Sequence, residues 1–114
     1  MEKVLKLTVN KKWFDMYKSG VKKEEYRELK QYWIKRLCKK YVDTIAATFK
    51  HFDLVEFTNG YSKNSPKLTF EFKGIKIDND YNLEWGGYLM SNEEGFKTDC
   101  FIISIGSEVS RSNC

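Results

Sequence analysis

At 114 residues, 41% hydrophobic and 16% aromatic, the chain has the size and composition of one domain with a real core, which excludes global disorder. Its net charge of +4 is unevenly placed, with +8 on residues 1–50 and −4 on residues 51–114. Apolar runs such as residues 101–105 fall far short of the ~20 residues of a membrane span, and the charged N-terminus does not fit a signal peptide. Cys38, Cys100 and Cys114 are widely spaced and His51 is the only histidine. That usage fits reduced thiols in a cytoplasmic protein, with neither a disulfide framework nor a metal site, and no membrane partner or cofactor is expected.

Residues 4–9 alternate, with Leu5, Leu7 and Val9 on one side, and predict a strand. Asn10 is placed to cap a helix over residues 11–19, where Trp13, Phe14, Met16 and Tyr17 have helical spacing. Gly20 follows where a left-handed C-terminal cap belongs. On that periodicity Trp13 and Phe14 are core residues. Residues 22–28 are charged apart from Tyr26 and have no apolar face. Propensity leaves helix and strand open there, and the position between two helices favours a strand with one face lining something polar. A second helix is predicted from residue 29 or 30 to 39 or 40, with Trp33, Leu37 and Ile34 inward and Lys35, Arg36, Lys39 and Lys40 solvated. Residues 41–50 read as loop or irregular.

The second half is β-rich. A strand over residues 52–58 stops at Asn59-Gly60, a turn signal, and residues 62–66 form a polar loop. Leu68, Phe70 and Phe72 alternate with polar residues in a half-buried strand, which Gly74 bends or bulges before Ile75 and Ile77 continue it. Residues 78–95 read as a surface excursion around Trp85-Gly86-Gly87. Residues 100–105 are a buried strand ending at Gly106, and the polar tail from Ser107, residues 109–114 in particular, is expected to fray. The sum is an α+β chain: a small mixed β-barrel with two or three short helices at its rim, one domain over residues 1–108.

The densest cluster of reactive groups is residues 20–27. In an extended chain Glu25 and Arg27 point the same way, while Lys22 joins them only if the turn after Gly20 redirects it. Together they supply an ammonium, a carboxylate and a guanidinium fork, a set suited to phosphate, carbonyl or base-edge recognition. Tyr61 and Trp85 stand beside loop glycines, where a large ring is not needed for the core and can stack on a base. Lys35, Arg36, Lys39 and Lys40 form a candidate phosphate-tracking patch. His51 is a possible general acid or base with no motif that ties it to this cluster.

Gly20, Lys22, Glu25 and Arg27 resemble the G-x-K-x-x-E-x-R pattern of the ASCH domain, a small β-barrel of the PUA-like superfamily. The Tyr32-Trp33 pair and the Asn59-Gly60-Tyr61 turn are similar to those of small bacterial and phage ASCH-like proteins, and the β-rich second half suits the family's closing strand. The resemblance implies binding of RNA, or of a nucleotide or nucleoside, in a cleft lined by Lys22, Glu25 and Arg27. Some members are amidohydrolases of N4-acylated cytidine, in which the motif lysine acts with a threonine at the position Glu25 holds here. Others are ribonucleases. For an enzyme of either kind the catalytic candidates are Lys22 and Glu25; a protein-interaction module is the third class.

Overall fold

A computed structural model describes residues 2–43, 46–77 and 100–114 in full and the backbone of residues 78, 84–85 and 88–89. In chain order the elements are β1 (Val4–Val9), α1 (Lys11–Lys18), β2 (Glu24–Glu28), α2 (Gln31–Leu37), β3 (Cys38–Tyr41), β4 (Ala47–Phe49), β5 (Leu54–Asn59), β6 (Lys67–Asp78), β7 (Glu84–Trp85), β8 (Tyr88–Leu89) and β9 (Cys100–Ser112). Five strands form one mixed sheet in the order β1-β5-β6-β9-β2. β1 runs parallel to β5, pairing Leu5 with Val55 and Leu7 with Phe57, and β5 runs antiparallel to β6, pairing Val55 with Phe70. Parallel neighbours need a long crossover, and residues 10–53 supply it. The α+β class and the mixed sheet with two helices agree with the sequence reading.

The chain divides into two compact units, and β6 and β9 each contribute to both. The first comprises Met1–Glu24, His51–Gly74 and Ser104–Cys114. Its core is the inward row of each strand together with one face of α1: Leu5, Leu7, Val9, Phe14, Tyr17, Val55, Phe57, Leu68, Phe70 and Ile105. The Tyr17 ring stacks on Phe57 with centroids 3.9 Å apart and planes 13° from parallel, and Phe70 meets Phe57 at 63°. Such aromatic pairs are worth about 0.5–1.5 kcal/mol beyond their burial. The Asn10 side chain accepts from the Trp13 amide and caps α1 as its position implied, and Gly20 closes the helix at φ +83°. Gly60 turns the chain after β5 at φ +98°.

The second unit comprises Glu25–Lys50 and Ile75–Ile103. Tyr26, Leu37, Cys38, Phe101, Ile102 and Ile103 are buried in it, and Phe49 packs edge-on against Phe101. Three expectations need correction. α2 ends at Leu37, because Cys38 is already extended and its segment pairs with β4, Cys38 opposite Phe49 and Tyr41 opposite Ala47. Lys39 and Lys40 therefore lie on a strand, not on the helix, and residues 41–50 include β4. Good helix formers gave way there to a non-local pairing that periodicity does not report. Third, β9 continues to Ser112 although its residues beyond Gly106 are exposed. A strand held by its backbone leaves no alternating apolar signal. Of the excursion after β6, only the β7–β8 pair, Trp85 opposite Tyr88, falls within the described residues. Among the described residues, no helix is long and apolar enough to cross a membrane.

Gly74 takes φ +143° within β6, where the sequence reading put a bend. Gly106 has a different reason to be glycine. A Cβ there would lie 2.5 Å from Lys73 Cε and 2.7 Å from Glu71 Oε1, and that Glu71 oxygen accepts the Ser107 amide at 3.0 Å. Gly106→Ala is expected to cost about 1 kcal/mol in urea unfolding, since the Lys73 and Glu71 side-chain ends can move aside but the Glu71–Ser107 hydrogen bond is disturbed.

Two carboxylates in the first unit are held in the charged form. Glu71 lies below the usual carboxylate range because of the Ser107 amide and then the Lys73 ammonium. Asp53 is lowered by the Lys3 amide, which donates at 2.8 Å, and then by His51, 3.1 Å away. Because the folded values are depressed, the stability these groups contribute is present above the ordinary range near ~4 and is lost as pH falls through the lowered values. Carboxyl-carbon NMR titration is expected to place both midpoints below the ordinary carboxylate range. Midpoints at the ordinary values would contradict these hydrogen bonds.

Candidate functional site

The chain leaves α1 through a tight return. The amides of Val21 and Lys22 both donate to the Met16 carbonyl, at 3.0 and 3.1 Å, so the backbone folds back over the helix end. That return redirects Lys22, which is only 1% exposed. Its Nζ lies 5.1 Å from the centroid of the Trp13 ring and 5.4 Å from that of Tyr17. An ammonium removed from water needs compensating charge density, and the negative faces of two aromatic rings supply part of it. Lys12 approaches the same Trp13 ring at 4.8 Å. Trp13 is thus half-buried and serves as a cation platform, whereas periodicity made it plain core; Phe14 beside it is buried as expected. The Tyr17 hydroxyl donates to the Glu24 carbonyl at 2.9 Å, holding the chain as it enters β2.

Within the second unit, β2 does what its parity implies. Glu25, 6% exposed, and Arg27 come to the same side of the strand, and the Arg27 guanidinium donates to the Glu25 carboxylate. Tyr26, of opposite parity, is buried as well. The Arg27 guanidinium also lies 4.8 Å from the centroid of the Trp33 ring, and Arg36 reaches the same ring at 5.2 Å. Trp33 was expected in the core; it is half-buried and takes two guanidinium groups. Tyr32 meets Trp33 edge-on, with centroids 4.9 Å apart and planes at 87°, and Arg36 lies over Tyr32 at 5.9 Å. A guanidinium held over a ring is pre-oriented, and its planar N–H fork has a geometry suited to phosphate or carbonyl oxygens. With its carboxylate engaged by Arg27, Glu25 is suited to orienting that fork or accepting from an amine; it is not a hydroxyl-type nucleophile.

The other predicted residues are more dispersed. Tyr61, 93% exposed, follows the Gly60 turn in the first unit and joins neither cluster. The Trp85 side chain lies outside the described residues. Lys35 and Arg36 occupy the last turn of α2, and Lys39 and Lys40 are exposed on β3. The patch is therefore a helix end continued by a strand, not one helix face. His51 is exposed and bonded to Asp53. Burial pushes the Cys38 thiol up, with Lys50 pulling the other way, so it is a poor nucleophile. Among the described residues no group of three or more His, Cys, Asp or Glu is gathered to hold a metal. The cation–ring pairings were missed at the sequence level. Tyr32 and Trp33 do stand four and three residues before Arg36, a spacing that brings side chains together on a helix. Nothing local announces the meeting of Lys22 with Trp13.

No family model, no curated protein and no solved structure matches this chain.

Arg27→Ala would leave the Glu25 carboxylate in a mostly buried position without its guanidinium. The expected loss is about 2 kcal/mol, the scale of a hydrogen bond to a charged group. Glu25→Gln in the same background should recover part of it, because a neutral amide costs less to bury than a carboxylate. Thermal unfolding of the single and double variants measures both.

Proposed function

We propose that this chain is an ASCH-type domain, a small barrel of the PUA-like superfamily, that binds RNA or a nucleotide or nucleoside through Lys22, Glu25 and Arg27. The observation that supports the reading best is the Arg27 fork, fixed by Glu25 on one side chain and by the Trp33 ring on another. A guanidinium held this way loses little further freedom on meeting a phosphate or carbonyl, and preorganisation of that kind is where affinity is gained. Glu25 orients the fork and can accept from the exocyclic amine of a base. Lys22, held against Trp13 and Tyr17, supplies a positive charge from a site poor in water. The +8 balance of residues 1–50 adds a long-range attraction for anionic ligands. This reading carries with it a cytoplasmic protein with reduced thiols, no cofactor and no membrane partner.

The test uses variants that keep volume and packing. Lys22→Met retains a flexible chain among the rings without the charge, and Arg27→Lys keeps a cation near Glu25 without the planar fork. Calorimetry with nucleosides, mononucleotides and a short RNA should show binding by the parent. Each variant should lose about tenfold or more, equivalent to ~1.4 kcal/mol, with thermal unfolding confirming a folded protein. A parent that binds none of these ligands, or two folded variants that bind as the parent does, would overturn the reading.

A further inference from the structure

Beyond the motif residues, the second unit carries an exposed aromatic ring beside a run of cations. Tyr32 is 58% exposed, and its place is fixed by the Trp33 edge and by the Arg36 guanidinium over it. A ring this exposed contributes little to a core, yet its orientation is set by two neighbours on the same short helix. Residues 25–50 hold seven Lys and Arg against three acidic side chains. Of those cations, Lys35, Lys39 and Lys40 are exposed around the end of α2 and along β3.

A helix C-terminus ordinarily disfavours anions, because its last carbonyls carry partial negative charge. Here Lys50 offsets that. Its ammonium donates to the Lys35 carbonyl at 2.9 Å and its amide to the Leu37 carbonyl at 2.9 Å. The same two bonds fasten the end of β4 to the end of α2. The cations of β3 thus continue from the helix on a tied backbone, with the Lys35 and Leu37 carbonyls already satisfied.

We infer that this surface takes a single-stranded polynucleotide, with one base stacked on Tyr32 and the backbone tracked by Arg36, Lys39 and Lys40. The inference rests on the nucleotide-binding reading above and narrows it to a strand of several nucleotides. Length is the reason. Five helical steps and two strand steps separate Tyr32 from Lys39, at most about 15 Å. A stacked strand carries one phosphate per about 3.4 Å, so the surface is matched to about four phosphates. A mononucleotide occupies only one end of it.

The test is anisotropy of labelled rU6 and dT6, with competing UMP, across a salt series. A hexamer, of either sugar, should bind at least about tenfold more tightly than UMP. Tyr32→Ala should lose about tenfold for the hexamer and Tyr32→Phe should retain binding, since the ring and not the hydroxyl does the stacking. The double variant Lys39→Ala/Lys40→Ala should flatten the dependence of log K on log salt by about 1.4. These positions are exposed, and thermal unfolding checks that each variant is folded. Hexamers bound no more tightly than UMP, or unchanged binding in folded Tyr32→Ala, overturns the inference. If UMP then still binds and Lys22→Met abolishes it, the nucleotide reading stands without the platform; if neither UMP nor hexamer binds the parent, both fall.

Discussion

Tyr17 is the residue on which the first unit turns. Its ring stacks on Phe57 of β5, its hydroxyl holds the Glu24 carbonyl at the entry to β2, and the Lys22 ammonium lies over it. A buried tyrosine has to pair its hydroxyl, and the partner used here is a backbone acceptor seven residues on. That single bond limits where the chain can go after α1. The return onto Met16 and the burial of Lys22 are compatible with it. Apolar packing between helix and sheet therefore also sets the environment of a charged side chain.

The same economy of parts appears in the second unit. Arg27, Arg36 and Trp33 form a mutual arrangement in which one indole ring meets two guanidinium groups. Isolated surface ion pairs such as Lys11–Asp15, both well exposed, contribute little to stability. The Glu25–Arg27 pair is different, because both side chains are largely withdrawn from water and the fork is also stacked. Charge placed on an aromatic face and fixed by a carboxylate has a defined direction. That is what distinguishes it from the solvated lysines on the rest of the basic half.

Local pattern and tertiary pairing divided the assignments along a clear line. β1, α1 with its Asn10 cap and Gly20 exit, the Asn59-Gly60 turn and the apolar row of β6 each rest on neighbours within a few residues and are legible locally, whereas β2 is open between helix and strand on propensity and follows only from its place between two helices. β3 and β4 depend on Cys38 meeting Phe49, a residue distant in the chain, and the end of β9 is a strand without buried side chains. Sequence periodicity carries neither. The candidate site divides in the same way. The shared side of Glu25 and Arg27 follows from strand parity, while the cation platforms at Trp13 and Trp33 arise from groups that periodicity assigned to the core.

Composition and short-range periodicity are enough for the α+β class, for a helix after β1 and another after β2, for the exclusion of a helical membrane span and for the concentration of basic charge in residues 1–50. Long-range packing is what organises that basic charge. It buried Lys22 against two rings, stacked two arginines on Trp33, and moved Lys39 and Lys40 from a helix face to a strand tied down by Lys50. A cation–ring contact or a strand pairing is a relation between chain segments, and its energy is absent from either segment alone.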